Sequence, residues 1–156
     1  MMDLSRLPAR RIAAQVCAQT VLTVRTRGEG FIDLTRELRA FLTEIEADAG
    51  LAHVFCRHTS ASLTIQENAD PDVRADLVTA LRALAPQSDR WIHDLEGPDD
   101  MPAHVRTMLT QSDLSIPVSG GVPMLGTWQA VYLIEHRTRP HTREVVFSFL
   151  GRCAPG

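Results

Sequence analysis

Two histidines and four carboxylates fall within twelve residues of this chain, from His93 to His104. Imidazoles and carboxylates bind divalent metals and move protons near neutral pH, and the segment lacks the apolar periodicity of a purely structural element. The two histidines are eleven positions apart, outside the i, i+4 spacing of a helical metal pair. The segment therefore indicates either a metal or proton-transfer site, with nearby aspartates orienting the imidazoles, or a pair of surface histidines.

A second polar stretch begins at His58 and continues through several hydroxyl residues to Glu67, Asn68 and Asp70. His58 fits a third metal ligand, a general base or the activating partner of a hydroxyl, and it equally fits a strand-end histidine bonded to the backbone. Asp70 precedes a proline and has a structural role as a helix N-cap. Glu67 and Asn68 have no such role, which favours a functional one.

A third candidate region opens a predicted strand at Gly126, Thr127 and Gln129. A glycine that allows close approach, a hydroxyl and an amide fit an anion or ligand site, but they also fit a strand entry beside a packed tryptophan. Three arginines either hold a phosphate by paired hydrogen bonds or form an ordinary charged turn: Arg137, Arg139 and Arg143. We assign no function to His53, His136 and His141.

One domain is the expectation for 156 residues, because a chain of this length buries enough surface for its own core. The net charge of -3 argues against a broad nucleic-acid-binding surface, and all sixteen basic residues are arginine. Cys17, Cys56 and Cys153 show no C-x-x-C spacing, which predicts a reducing, cytoplasmic setting without disulfides. No apolar run is long enough to predict a membrane span.

Periodicity and turn signals predict a single α+β domain dominated by antiparallel strands, with about three helices. The predicted strands cover residues 12–26, 51–57, 62–66, 114–118, 126–135 and 143–150. We expect the last two strands to form a hairpin. The predicted helices run from Leu34 to a stop at 49–50, from Asp70 to Pro86, and from Asp99 or Asp100 onward.

The third predicted helix carries His104 in its first two turns. Asp99 or Asp100 is its expected N-cap, and Pro102 lies in its first turn. Its expected buried side is marked by Val105, Met108 and Leu109. His104 and the capping carboxylate should therefore lie close together.

Several motifs occur together and in order along the chain: 58–64 (HTSASLT), 67–68 (EN), 70–71 (DP), 93–104, 116–118 (IPV) and 126–129 (GTWQ). With them the chain resembles the YjbQ family of small bacterial and archaeal proteins, described as secondary thiamine-phosphate synthase enzymes. The resemblance covers about residue 12 to Gly151. It implies an α+β fold with a β-sandwich-like core, a homotrimer, and shared polar residues gathered in a pocket near the subunit interface.

The resemblance leads to a hypothesis about the reaction: a metal-assisted enzyme that joins hydroxymethylpyrimidine pyrophosphate to thiazole phosphate, with weak thiamine-phosphate synthase activity. His93 and His104 are the expected metal ligands, with His58 as a third ligand or a proton carrier. The expected catalytic residues are His58, Glu67 and Asp100. The expected substrate-binding residues are Asn68, Asp70, Thr127, Gln129 and Arg143.

Two alternatives stay open: a non-catalytic module that binds phosphate, nucleotide or metal, and a zinc-type hydrolase. The metal is open between zinc and magnesium, because histidine ligands favour zinc whereas magnesium prefers oxygen. The expected partners are a small phosphorylated substrate and further copies of the chain, with no nucleic acid and no membrane. The expected organisation is a flexible arm over 1–11, a YjbQ-like domain over 12–151 and a tail over 152–156.

Overall fold

Antiparallel strands make up most of the computed structural model, which describes residues 8–154. The strands are β1 (Val16–Arg25), β2 (Gly30–Asp33), β3 (Ala47–Cys56), β4 (Ala61–Glu67), β5 (Asp113–Ser119), β6 (Val122–Pro123), β7 (Gln129–Glu135) and β8 (Thr142–Cys153). The helices are α1 (Thr35–Glu44), α2 (Pro71–Leu84) and α3 (Asp100–Leu109). The predicted α+β class is confirmed.

Two sheets share one apolar core. The first has the strand order β1-β8-β3-β5-β6 and the second the order β2-β7-β4. In β8, buried Val145, Phe147 and Phe149 alternate with more exposed residues, as in a strand with one face on a core. Leu63 and Leu133 of the second sheet belong to the same buried cluster. The arrangement therefore matches the expected sandwich-like core.

The hairpin predicted for the last two long strands is wrong, because β7 and β8 lie in different sheets. The chain crosses between the sheets through His136 and Arg137, which are both buried. Glu135 at the end of β7 and Arg143 in β8 form a buried ion pair across this crossover, with Arg143 Nη2 2.6 Å from Glu135 Oε1. The polar sequence predicted to be an exposed turn therefore begins in the interior, and only residues 138–140 are exposed.

The first helix ends earlier than predicted. Helix α1 stops at Glu44, and Glu46 adopts a left-handed backbone with φ of 52° that turns the chain into β3. Gly50, predicted to end the helix, lies within β3. A Cβ at Gly50 would collide with the backbone of Leu150 in the neighbouring strand. This glycine serves strand packing rather than helix termination.

The predicted buried side of α3 is wrong for Met108 and Leu109, whereas Val105 is half-buried. Met108 is 85% exposed and Leu109 is 56% exposed. The helix instead buries Ala103 and Arg106, and the Arg106 guanidinium bonds to Glu29 and to the backbone of the preceding loop. The face of α3 that packs is therefore the one that carries the small side chain of Ala103 and the ion pair between Arg106 and Glu29.

The ends of the described chain lie against β8. The amide of Gln15 donates to the carbonyl of Gly151, and β8 continues through Arg152 and Cys153, which the domain prediction placed in the tail. Residues 1–7 of the predicted arm and 155–156 of the tail lie outside the described residues. Within residues 8–154, the cysteines are free thiols. No helix in that range combines the length and apolar character needed to cross a membrane.

Candidate metal centre

The segment from His93 to His104 folds as a tight turn followed by helix α3. Gly97 has a φ of 109°, a backbone conformation that a residue with a side chain would adopt only with strain. The amide of Gly97 donates to the carbonyl of Asp94. Gly97 in turn accepts from the amide of Asp100, the first residue of α3. This turn brings the chain back so that the two histidines, distant in sequence, face the same helix start.

His93, Asp100 and His104 converge at that helix start. His93 Nε2 lies 2.7 Å and His104 Nε2 lies 3.5 Å from the same carboxylate oxygen, Asp100 Oδ2. One ligand atom from each residue falls within 4.8 Å of the others, and the imidazole centroids are 5.4 Å apart. Asp100 is 2% exposed, whereas the histidine side chains are 47% and 32% exposed. We call these three residues the triad.

The tautomer of His104 is set by a backbone carbonyl. His104 Nδ1 lies 2.9 Å from the carbonyl oxygen of Thr59, which only accepts hydrogen bonds, so Nδ1 carries the proton. In the neutral ring Nε2 therefore presents a lone pair, and it faces the oxygen of Asp100. Two acceptors face each other, and only a cation or a proton between them makes this contact favourable.

Arg137 fixes the buried carboxylate of the triad. Its Nη1 donates to Asp100 Oδ1, which leaves Oδ2 directed at the two histidines. The same guanidinium donates to Asp99 Oδ2 at 3.2 Å and to the carbonyl of Glu96 at 2.7 Å. Arg137 is 5% exposed. A buried cation therefore compensates the buried charge of Asp100 and holds its orientation.

Asp99 stands at the N-cap position of α3, as predicted, but its side chain makes no capping hydrogen bond. It accepts instead from the amide of Thr138 at 2.8 Å and from its hydroxyl at 3.0 Å. Burial alone would raise the pKa of Asp99, but these bonds and the Arg137 guanidinium outweigh burial and lower the pKa to about 2. Asp99 thus joins the crossover between the sheets to the triad.

His58 lies outside the triad. Its Nε2 accepts from the amide of Glu144 at 2.8 Å, so the lone pair that would bind a metal is already used. Partial burial and the charge of Arg143 lower the pKa of this histidine. Its connection to the triad runs through the backbone, because the neighbouring Thr59 accepts from His104.

Glu67 and Gln129 also lie away from the triad. They line a separate cleft of about 500 Å³ with Trp128 and Ala69 at the far end of β4. Strand geometry separates Ala61, near the triad end of β4, from Glu67 by about 20 Å. One chain therefore does not bring all the expected pocket residues into one site.

The remaining predicted binding residues have mixed environments. Asp70 caps α2, accepting from the amide of Asp72 as predicted, while Asn68 and Thr127 are exposed. Arg143, expected to meet phosphate, is 4% exposed and pairs with Glu135. Its charge is compensated inside the protein, so this arginine supports the crossover rather than an open anion site.

Sequence reasoning missed the position of Arg137 and the buried group around His136. Both follow β7 directly and read as the start of a polar turn. The available signal was the unbroken apolar run of residues 130–134, without polar alternation, which marks a strand buried on both faces. Such a strand carries the residues after it into the interior, where Ser62 Oγ lies 2.8 Å from His136 Nε2.

Buried His136 should make the stability of the protein depend on pH. Burial, together with the charge of Arg106, lowers the pKa of His136 to about 4. Between pH 6.5 and 4 the imidazole binds a proton in the unfolded chain but not in the folded protein. The free energy of unfolding therefore decreases by about 3 kcal/mol as the pH is lowered through this range. Urea unfolding at pH 7.5, 5.5 and 4.5 measures the loss.

The matched variant for this measurement is His136→Asn, which removes the titrating ring. Its unfolding free energy should change less across the same pH range, retaining the smaller contribution of the same sign from His58, whose pKa is also lowered. Equal pH slopes in the wild type and the variant would show that His136 is not the responsible group.

The fold and the site together define a class of protein. It is an α+β protein with two antiparallel sheets and a cluster of two histidines and one aspartate at a helix start. The family model described as UPF0047 protein YjbQ-like matches residues 20–152, and the chain belongs to this family. The family predicted from the sequence motifs is thereby confirmed.

Two relatives illustrate the similarity. The chain is 46% identical to a UPF0047 protein of Synechocystis sp. over 134 residues, which are 85% of this chain and 91% of that protein. It is 37% identical to the UPF0047 protein YjbQ of Escherichia coli O157:H7, over 85% of this chain and 97% of that one. These names give a family but no reaction.

Solved structures show the same fold. A hypothetical protein of Aeropyrum pernix superposes with a TM-score of 0.79 at 29% identity, covering 86% of this chain and 99% of that one. A conserved hypothetical protein of Thermus thermophilus gives 0.72 at 38% identity, covering 81% and 97%. The chain thus spans nearly the whole length of both structures.

Proposed function

We propose that this protein is a metal-dependent enzyme in which His93, Asp100 and His104 bind one divalent transition-metal ion and act on a small phosphorylated substrate. The observation that carries the proposal is the contact between His104 Nε2 and Asp100 Oδ2. Because the carbonyl of Thr59 fixes the proton on the opposite nitrogen, this contact joins two acceptors. A cation bound between the three side chains would be attracted to both acceptors and would make this contact favourable.

The donor set favours a transition metal over magnesium. Two imidazole nitrogens and one carboxylate oxygen suit zinc or iron(II), whereas magnesium is held mainly by oxygen ligands and water. The exposed histidine rings leave the outer side of the triad open to solvent. Three protein ligands with an open side are typical of catalytic rather than structural sites. A bound ion there would neutralise a leaving pyrophosphate or activate a water molecule.

The first reaction to test is the joining of hydroxymethylpyrimidine pyrophosphate to thiazole phosphate. The thiazole nitrogen forms a bond to the pyrimidine methylene carbon, the bond from that carbon to oxygen breaks, and pyrophosphate leaves. Because Arg143 is already paired with Glu135, the positive charge that stabilises the departing pyrophosphate would come from an ion bound at the triad. The second candidate is zinc-type hydrolysis of a phosphate ester, which the nitrogen-rich donor set favours.

Turnover should depend on the metal and on Asp100. Protein stripped with a chelator should be inactive toward both thiamine precursors and toward a panel of phosphate esters, and zinc or iron(II) should restore activity better than magnesium. Asp100→Asn should lose the restored activity. Asp94→Asn is the matched control, because Asp94 is an exposed carboxylate in the same segment, and it should keep wild-type activity.

The outcomes separate the rival functions. Formation of thiamine phosphate supports the synthase, and release of phosphate from an ester supports the hydrolase. A protein that binds metal through the triad but turns over none of these compounds is a binding module and contradicts an enzyme of this class. Wild-type activity retained in the stripped protein, or in Asp100→Asn, would contradict a role for the metal.

A further inference from the structure

A cavity of about 390 Å³ lies where the end of α2, the first half of α3 and the crossover between the sheets meet. Its lining includes Arg82 of α2, Pro102 and Arg106 of α3, and Thr138 of the crossover. None of the triad residues lines it. Its volume is within the usual range of small-molecule sites. This space, which we call the α3 cavity, therefore has room for a ligand of its own.

One hydrogen-bond donor in the wall of the α3 cavity is buried without a partner. Arg106 is 6% exposed, and its Nη1 and Nη2 donate to the carboxylate of Glu29 and to the carbonyl of Ala85. Within residues 8–154, Nε of Arg106 is the only buried side-chain nitrogen or oxygen that has no hydrogen-bond partner. Folded proteins rarely leave such a donor unpaired, because its desolvation is costly. An acceptor from outside the chain would complete Arg106.

The charges around the α3 cavity favour an anion as that acceptor. Glu29 accepts from Arg106 and also from Arg82, whose Nε lies 2.7 Å from Glu29 Oε2. Two guanidinium groups therefore share a single carboxylate. Asp99, the other acid in the wall, is already bonded to Arg137. The pair of arginines thus carries one positive charge more than the carboxylate between them, and an anion would balance it.

The α3 cavity is accessible at its outer rim. The side chain of Arg82 is 62% exposed, and Gln87, which also lines the cavity, is exposed. Within residues 8–154, Nη1 of Arg82 takes part in no hydrogen bond or ion pair, because its contacts to Glu29 use Nε and Nη2. A solute entering from the rim would therefore meet a second free guanidinium donor.

The walls and the charge together define a class of ligand. Pro86 and Pro102 give the cavity apolar surface on two sides. A phosphate monoester carries a charge of about −1.5 to −2 at pH 7, whereas a carboxylate matches a single positive charge and accepts well from a guanidinium. We propose that the α3 cavity binds a small organic carboxylate, whose charged group accepts from Nε of Arg106 and whose apolar body packs against the two prolines. This ligand is distinct from the phosphorylated substrate proposed for the triad.

Trp91 can report on the α3 cavity, because its indole Nε1 donates to the carbonyl of Pro86 at 3.3 Å. The chain has two tryptophans, and Trp128→Phe leaves Trp91 as the single indole emitter. Titration of this variant with benzoate in the presence of a chelator should give a saturable change in fluorescence. Benzamide has the same ring without the charge and should bind at least about tenfold more weakly. The chelator keeps the result independent of the proposed metal function.

Substitutions in the same background test the two arginines. Arg82→Gln removes the guanidinium at the rim and should weaken benzoate binding at least about threefold. Arg39→Gln, at an exposed arginine of α1, is the matched control and should bind as the parent does. Arg106→Met removes the buried donor itself and should abolish saturable binding. If Arg106→Met does not fold, Arg82→Gln carries the test.

Three results would overturn the proposal: no saturable binding of benzoate, equal affinities for benzoate and benzamide, or equal affinities for benzoate in Arg82→Gln and Arg39→Gln. Inorganic phosphate that binds more tightly than benzoate would overturn the assignment to a carboxylate, because the cavity would then prefer the higher charge. Calorimetric titration of the unmodified protein with benzoate and benzamide repeats the comparison without the tryptophan substitution.

Discussion

Replacing Arg137 by methionine should lower the free energy of unfolding by about 3 to 5 kcal/mol at pH 7. The guanidinium bonds to Asp100 and Asp99 together, and Asp100 is 2% exposed. Methionine fills part of the same volume but leaves a buried carboxylate without its cation. The loss is therefore that of an uncompensated buried charge, which exceeds the usual effect of a point mutation. Chemical denaturation of the metal-free protein measures it.

Arg139 gives a matched control for this prediction. It lies two residues away in the same crossover and is exposed, and its side chain makes no ion pair within residues 8–154. Arg139→Met should therefore change the free energy of unfolding by less than about 0.5 kcal/mol. If both variants lose similar stability, the ion pairs of Arg137 do not anchor Asp100.

Replacing His104 by alanine should lower the affinity for zinc by more than the roughly 10- to 100-fold that follows loss of an outer-sphere partner. The substitution removes one of three ligands directly and leaves the carbonyl of Thr59 without its donor. His93→Ala should have an effect of similar size, because its Nε2 contacts the same oxygen of Asp100. Competition with a chromophoric chelator at pH 7.5 measures both affinities.

His53→Ala controls for a general loss of imidazole. His53 is also partly exposed and lies 3.9 Å from the carboxylate of Asp113, and among residues 8–154 it belongs to no cluster that could hold a metal. This variant should keep the zinc affinity of the wild type. An equal fall in affinity in all three variants would mean that the metal binds to surface histidines in general rather than to the triad.

The sequence predicted much of the fold because local signals agreed with the tertiary structure. The proline after Asp70 and the apolar spacing that follows it placed helix α2 correctly, and its cap forms as expected. The errors fell where tertiary contacts override local signals. Gly50 follows a helical pattern but serves close packing of two strands, and Met108 continues an apolar spacing on a face that the helix leaves exposed.

The triad was predictable in part. The unusual density of histidine and aspartate indicated His93 and His104, and the helix start placed His104 near a carboxylate. Spacing alone did not show that Asp100, rather than Asp99, meets both rings, because that choice depends on Arg137, 37 residues further along the chain. Nor did it show that His58 uses its Nε2 on the amide of Glu144. Long-range hydrogen bonds leave no periodic trace in a sequence.

The most direct test of the proposed metal centre is elemental analysis of protein purified without a histidine tag, after incubation with zinc and removal of loosely bound ions. We expect about one ion per chain in the wild type. We expect none in the double variant His93→Ala/His104→Ala, whereas His53→Ala should resemble the wild type. A wild-type protein that retains no ion, or a double variant that retains as much as the wild type, would contradict a metal centre formed by His93, Asp100 and His104.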